Sequence, residues 1–187
     1  MGSMFSGMPA EGMGSLMPLL GGMAAGVSSP AGDGQEDCEP GVRQLVQELV
    51  ALAGFVKELE TQSHLVHLNY EGGNFLSVHE LLKTQYEAHL EQFDTVAELV
   101  RSLDCLMPQC AKGLMECVCD FEPCCSYDGQ HMLMTYLSNL ETLGEQAKRV
   151  ELTATRIRAL DVSNYLAELT GAAYKSAWLI KAILRGC

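Results

Sequence analysis

The chain has 187 residues, a formal net charge of −12 and 48% hydrophobic residues, which suits one domain with a sizeable core. The acidic balance argues against general binding to nucleic acid or to anionic membranes. No apolar run approaches the length that spans a bilayer, and the first basic residue is Arg43, so neither a membrane span nor a basic secretory leader is predicted. We therefore expect a cytoplasmic protein.

The first forty residues differ in composition from the rest of the chain. We expect residues 1–40 to form a Met- and Gly-rich acidic tail and residues 41–187 to form the folded domain. Three interpretations of the tail stay open: a mobile segment, a soft-metal thioether site, or a short amphipathic stretch docked through methionines. Its methionines recur at roughly helical intervals: Met1, Met4, Met8, Met13, Met17 and Met23.

Beyond the tail, apolar residues recur at helical spacing in four long segments. The first runs from Val42 to about Tyr70, where Gly72–Gly73 breaks the pattern. The second begins near Ser77 and ends before Pro108. Residues 105–126 form a long connection, with a short helix predicted over 111–118.

The last two long helices complete the pattern. Asp128 or Ser126 is expected to cap the third, and Asp161 or Ser163 the fourth. No convincing strand is present in the sequence. The pattern therefore predicts an all-α four-helix bundle with a short helix in its long middle connection.

Six of the eight cysteines lie between positions 105 and 125. They contain no C-x-x-C pair, so they match no zinc or iron–sulfur spacing. We expect free thiols, some of them buried as small apolar groups. A soft-metal or redox role is the alternative.

The residues most informative about function are two histidines and two carboxylates. His67 is predicted at the end of the first helix and His79 near the start of the second, while Asp94 and Glu98 lie one turn apart on one face of the second. Imidazoles and carboxylates together form a mixed ligand set suited to iron. His79 and Asp94 are fifteen residues apart, about 22 Å of helical rise. A shared metal therefore requires histidines from one subunit and carboxylates from another, at a two-fold interface.

These residues lie in the segments HLNYEGGNFLSVHELL and FDTVAELV, and AYKSAWLIKAIL follows near the end of the chain. The three segments resemble the signature of Dps proteins, the mini-ferritins of starved bacteria. The resemblance covers about residues 42–185. It implies a ferritin-like subunit that assembles into a hollow dodecamer.

The resemblance also implies a ferroxidase site at the two-fold interface. His67 and His79 fall on the family's two histidine ligands, and Asp94 and Glu98 on the acidic pair that the partner chain supplies. The implied cargo is iron, taken up as Fe2+, oxidised with hydrogen peroxide and stored as Fe3+ mineral, which protects against oxidative stress.

Lys83 departs from the family pattern, which has an aspartate ligand there. At about 4 Å and an effective dielectric near 20, each unit of charge changes the interaction with a metal by roughly 4 kcal/mol. Lys83 either pairs with the partner's acidic residues or extends into solvent, in which case Glu80 or Glu87 is a substitute ligand. The alternative function is a structural or metal-buffering cage with an impaired ferroxidase site.

Three further residues carry expectations of their own. His64 is an outer-shell partner of His67 or a polar interface residue. His89 is expected on a solvated helix surface, and Trp178 in core or contact packing. Direct DNA binding is not expected, because no Lys or Arg precedes Arg43.

Overall fold

The computed structural model of the protein describes residues 39–186, and these contain helices and no strand. The predicted tail falls almost entirely on residues 1–38, which lie outside the described region, so the division at residue 40 stays a prediction. No helix among the described residues is long and apolar enough to cross a membrane. The five helices are α1 (Pro40–Asn69), α2 (Phe75–Ser102), α3 (Ala111–Met115), α4 (Gly129–Arg156) and α5 (Leu160–Arg185).

The turn between α1 and α2 positions the candidate site. Pro40 begins α1, where its missing N–H costs no helical hydrogen bond. The helix ends at Asn69, because Tyr70 adopts an extended conformation while its N–H still bonds the carbonyl of Val66 at 2.8 Å. The predicted break before Gly72–Gly73 is confirmed.

The predicted cap of α4 is present, and the predicted cap of α5 is not. Asp128 caps α4 by accepting the backbone N–H of His131 at 2.8 Å, as expected. Neither candidate caps α5, which begins directly after Ala159. Asp161 instead lies in the first turn, where its charge favours the helix dipole. Ser163 donates its hydroxyl to Glu151 Oε1 at 2.7 Å.

The helices pair as two hairpins, α1 with α2 and α4 with α5, and α1 also packs against α4. The short helix α3 lies on α1. The core between them is apolar, and its largest fully buried side chains include Tyr136, Phe55, Leu59, Leu82, Leu140 and Leu166. Four long helices with this pairing form the predicted bundle.

One contact joins the middle connection to α4, and a second joins α4 to the first hairpin. Asn139, 1% exposed, accepts the N–H of Glu122 at 3.0 Å and donates to the carbonyl of the same residue at 2.8 Å. Gly129 lies so close to the α1–α2 turn that an added Cβ would be 3.0 Å from Tyr70 Cε2 and 3.1 Å from the carbonyl oxygen of Glu71. The start of α4 is therefore packed directly on that turn.

Substitutions at two helical glycines test how closely α3 approaches α1. A Cβ at Gly54 would lie 2.7 Å from Val118 Cγ2 and 3.0 Å from the carbonyl oxygen of Leu114, whereas one at Gly171 meets nothing within 4 Å. We expect Gly54→Ala to lower the free energy of unfolding by about 1–3 kcal/mol through overpacking. Gly171→Ala should raise it by about 0.5–1 kcal/mol. Denaturant unfolding checks both, and equal gains would contradict the close approach.

Candidate metal site

The fold brings His67 and His79 into direct contact. His67 lies in the last turn of α1 and is 8% exposed, and His79 lies in the second turn of α2. The two rings stack with their centroids 3.6 Å apart and their planes at 23°. The predicted pairing of these two imidazoles within one chain is therefore present.

The backbone fixes which nitrogen of each ring is free. His67 Nδ1 lies 2.8 Å from the carbonyl oxygen of His79, and His79 Nδ1 lies 3.1 Å from the carbonyl oxygen of His67. Because a carbonyl oxygen only accepts, both Nδ1 atoms carry the proton. In the neutral rings both Nε2 atoms then keep their lone pairs, which is the form that binds a metal ion.

Other rings continue the stack on either side. The Phe75 ring lies 5.1 Å from His79, and the Tyr86 ring lies 5.5 Å from His67. His64 is exposed and stacks on Tyr86 at 4.2 Å, with its centroid 6.0 Å from that of His67. Its nearest ring partner is therefore Tyr86, and both expectations for His64 stay open.

The two carboxylates lie elsewhere on the subunit. Asp94 and Glu98 are exposed on α2, about 22 Å of helical rise beyond His79 for the nearer one. Within residues 39–186 of one chain, no three His, Cys, Asp or Glu side chains are grouped so as to hold a metal. The structure thus joins the histidines and leaves the carboxylates apart.

Lys83 lies one turn after His79 on α2 and is exposed. It forms no ion pair with any carboxylate in the described part of this chain. Glu80 and Glu87 are exposed on the same helix. Three leucines close to the histidines in sequence, Leu65, Leu68 and Leu76, are exposed by 54%, 64% and 74%.

Solved structures of other proteins share this arrangement of helices. Antigen TpF1 from Treponema pallidum superposes with a TM-score of 0.73 over 79% of this chain and 95% of that one, at 19% identity. Dps from Vibrio cholerae O1 gives 0.72 over 77% and 91%, at 18% identity. Dps from Listeria monocytogenes gives 0.70 over 75% and 92%, at 19% identity.

The chain has the Dps-type ferritin-like fold. The expected fold is thereby confirmed. No protein-family profile matches the chain, and no curated protein is significantly similar in sequence. At identities of 18–19% the shared feature is the fold, and the chemistry must be argued from this chain's own residues.

The interior of this Dps-type bundle holds a polar cluster that the sequence interpretation missed. His89 is 2% exposed, so its expected place on a solvated surface was wrong. Its Nε2 lies 2.8 Å from the Tyr136 hydroxyl and its Nδ1 lies 2.8 Å from Gln92 Oε1. Gln85 Oε1 is 3.4 Å from the same hydroxyl. The sequence spacing does indicate burial here, because Gln85 and His89 follow Leu82 at the intervals of the buried face of α2.

Burial sets the protonation of this cluster. It lowers the pKa of His89, against the weaker effects of the Gln92 hydrogen bond and the Glu60 carboxylate. It also raises the pKa of Tyr136, against the weaker opposing effect of the nearby Ser63 side chain. Both rings are consequently neutral at physiological pH.

Trp178, in contrast, is 61% exposed and is no part of the described core.

The lowered pKa of His89 predicts a loss of stability in acid. The unfolded chain takes up a proton near pH 6.5, while the folded chain takes it up only at lower pH. Between those values the unfolded state binds more protons, so the free energy of unfolding falls as the pH drops below 6.5. For this one group the slope approaches about 1.4 kcal/mol per pH unit.

Urea unfolding at a series of pH values on both sides of 6.5 measures this slope. His89→Gln should flatten the dependence by about one proton, whereas His131→Gln, at an exposed position, should leave it unchanged. Equal slopes in the native protein and His89→Gln would show that His89 is not the responsible group.

Proposed function

We propose that this protein is a cytoplasmic iron-binding mini-ferritin that oxidises Fe2+ with hydrogen peroxide and stores the ferric product. The observation that carries the proposal is the reciprocal bonding of His67 and His79, which fixes Nδ1 as the donor on both stacked rings and leaves both Nε2 atoms as potential ligands. A ferrous ion, a borderline acid, suits such nitrogen ligands.

Two histidines alone do not complete an iron site, and the remaining ligands are proposed to come from a second copy. In a two-fold dimer with antiparallel α2 helices, Asp94 and Glu98 of one subunit approach His67 and His79 of the other. The exposed Leu65, Leu68 and Leu76 supply the apolar rim that such an interface buries. Further copies complete the proposed hollow dodecamer.

The structural relatives support the iron chemistry. The Vibrio cholerae Dps protein is described as a member of a superfamily of ferritin-like diiron-carboxylate proteins. The present chain offers the same classes of ligand, carboxylate and imidazole, on the same fold. Its net charge of −12 favours the accumulation of cations at and inside a shell.

Each residue has a distinct role in the proposed reaction. The imidazoles bind Fe2+ without adding charge, and the carboxylates offset the charge that rises when Fe3+ forms. Both histidine rings are held by backbone carbonyls, so they need no rearrangement during the reaction. Consuming Fe2+ together with peroxide removes both reagents of hydroxyl-radical chemistry, which is the proposed protection against oxidative stress.

The second candidate function is a structural or metal-buffering cage. It is favoured by Lys83, which lies four residues after His79 and so shares its helix face. A cation at this distance repels Fe2+ and attracts the partner's Asp94 and Glu98. If those ion pairs form across the interface, they fill the site without metal.

Subunit mixing tests whether the site is shared between chains. His67→Ala/His79→Ala assemblies and Asp94→Ala/Glu98→Ala assemblies should each lose at least about a hundredfold in the rate of peroxide-driven Fe2+ oxidation, because direct ligands are removed. Co-assembly of the two variants should restore about one quarter of the native sites, since half of randomly paired dimers are mixed and each holds one intact site.

Ferric absorbance recorded after anaerobic Fe2+ loading and peroxide addition provides the readout. A mixture of separately assembled cages is the control and should stay inactive. If co-assembly restores nothing while each single-variant cage is inactive, the four ligands do not meet across an interface.

Substitution of Lys83 distinguishes the two candidate functions. Lys83→Met removes the cation, and Lys83→Asp also supplies a carboxylate. If Lys83 blocks the site, native oxidation proceeds at the background rate, and both variants increase Fe2+ affinity by about tenfold or more per unit of charge. If Lys83 extends into solvent, the native protein is already active and Lys83→Met changes affinity by less than about threefold. Calorimetric Fe2+ titration without oxygen measures the affinity separately from the rate.

A further inference from the structure

The middle connection forms one wall of a cavity that carries three sulfur atoms. The cavity has a volume of about 360 Å³ and lies between this connection and α1. Cys124, Cys125 and Met132 are among the residues that line it, and none of the proposed iron ligands does. Two thiols and a thioether therefore share one small cavity outside the proposed iron site.

The two thiols of the cavity differ in setting from the buried cysteine of the same connection. Cys105 is 1% exposed and packs in the core as a small apolar group. Cys125 is exposed, Cys124 is half-buried, and both are free thiols. Met132 is 3% exposed. The set thus combines two thiols that solvent can reach with a thioether that is held away from it.

The backbone just before the two cysteines is held in place by side chains of α1 and α4. The carbonyl of Glu122 accepts from Asn139 Nδ2 at 2.8 Å and from Gln62 Nε2 at 3.1 Å. The N–H of Glu122 donates to Asn139 Oδ1 at 3.0 Å. Pro123 follows, and its ring fixes its own φ angle. Little freedom therefore remains at the residue that precedes Cys124.

The backbone just after the cysteines is fixed by the start of α4. Ser126 Oγ accepts the N–H of Asp128 at 3.1 Å, and Asp128 caps the helix. The N–H of Met132, in the first turn, donates to the Asp128 carbonyl at 2.9 Å. Because the chain is anchored on both sides of Cys124 and Cys125, these residues lose little conformational entropy when they bind a ligand.

We propose that Cys124, Cys125 and Met132 form a binding site for one Cu+ ion. Thiolate and thioether ligands select soft cations, and Cu+ is the soft ion among the first-row metals. Cu+ accepts a low coordination number, so the three sulfur atoms of this cavity complete its ligand set. This inference does not depend on the proposed iron chemistry.

Other metal ions suit this ligand set less well. A structural zinc site takes four ligands, and within residues 39–186 no three His, Cys, Asp or Glu side chains are grouped so as to hold a metal. The third ligand here is a thioether, which Fe2+ and Zn2+ do not favour. The ligand chemistry of the cavity therefore points to a soft monovalent ion.

Binding exchanges protons for metal and involves no redox step. Each thiol releases its proton to solvent as its sulfur bonds Cu+, and Met132 contributes a neutral sulfur. One Cu+ thus displaces two protons, and the complex carries one negative charge. The Cys124 thiol also gives up its weak hydrogen bond to the Ser126 carbonyl, in which the sulfur lies 3.5 Å from the oxygen. Affinity for Cu+ consequently rises with pH.

The test titrates the reduced full-length protein with Cu+ under anaerobic conditions, in competition with bicinchoninate, whose Cu+ complex is coloured. We expect the native protein to withdraw one Cu+ per chain from this probe. The affinity should fall at least about a hundredfold in Cys124→Ser/Cys125→Ser and about tenfold in Met132→Leu, because direct ligands are removed. The matched control, Cys110→Ser/Cys119→Ser, removes two exposed thiols of the same connection and should leave the affinity unchanged.

A measurement on the native chain covers the case in which a variant does not fold. One equivalent of Cu+ should protect Cys124 and Cys125 from N-ethylmaleimide, while Cys110 and Cys119 react as they do without metal. Mass spectrometry of the digested protein quantifies the reaction at each thiol.

Three results would overturn the inference. The first is a native protein that withdraws no Cu+ from bicinchoninate. The second is a Cu+ that binds as tightly in Cys124→Ser/Cys125→Ser as in the native protein, because the tightest site then lies elsewhere in the chain. The third is equal protection of the thiols at positions 110, 119, 124 and 125 by one equivalent of Cu+.

Discussion

The turn that reverses the chain after α1 determines how His67 and His79 meet. It places the last carbonyls of α1, which have no helical partner, beside the first turns of α2. His79 Nδ1 bonds one of these carbonyls, that of His67, and His67 Nδ1 bonds the carbonyl of His79 in return. The bond to the His67 carbonyl satisfies a group at the helix end, and the two bonds together set both tautomers. The end of α1 and the tautomer of His79 consequently depend on the same hydrogen bond.

The two polar regions of the chain differ in which groups form hydrogen bonds with their histidines. His67 and His79 lie at the edge of the bundle, where backbone oxygens satisfy one nitrogen of each and the other remains available. His89 and Tyr136 lie inside, where Gln92 and Gln85 surround them. The bundle interior holds these groups in neutral form, whereas the carboxylates of the proposed site, Asp94 and Glu98, are exposed on α2.

Much of this was predictable from the sequence. The apolar spacing gave the four long helices, and the separation of the two histidines across Gly72–Gly73 gave their pairing. The start of α5 was not predictable from capping residues, because Arg158 takes a left-handed conformation and Ala159 precedes the helix without any side-chain cap. His89 was misassigned because its polarity was given more weight than its spacing from Leu82, and its hydrogen-bond partner Tyr136 lies on another helix.

The contact at Gly129 makes the histidine pair sensitive to the rest of the bundle. The first residue of α4 presses on Tyr70 and Glu71, with no room for a side chain. The start of α4 therefore limits the position of the turn between α1 and α2. Any sliding of one hairpin past the other would move this contact and change the separation of the two imidazoles. The separation of the two imidazoles is thus coupled to the relative position of the two hairpins.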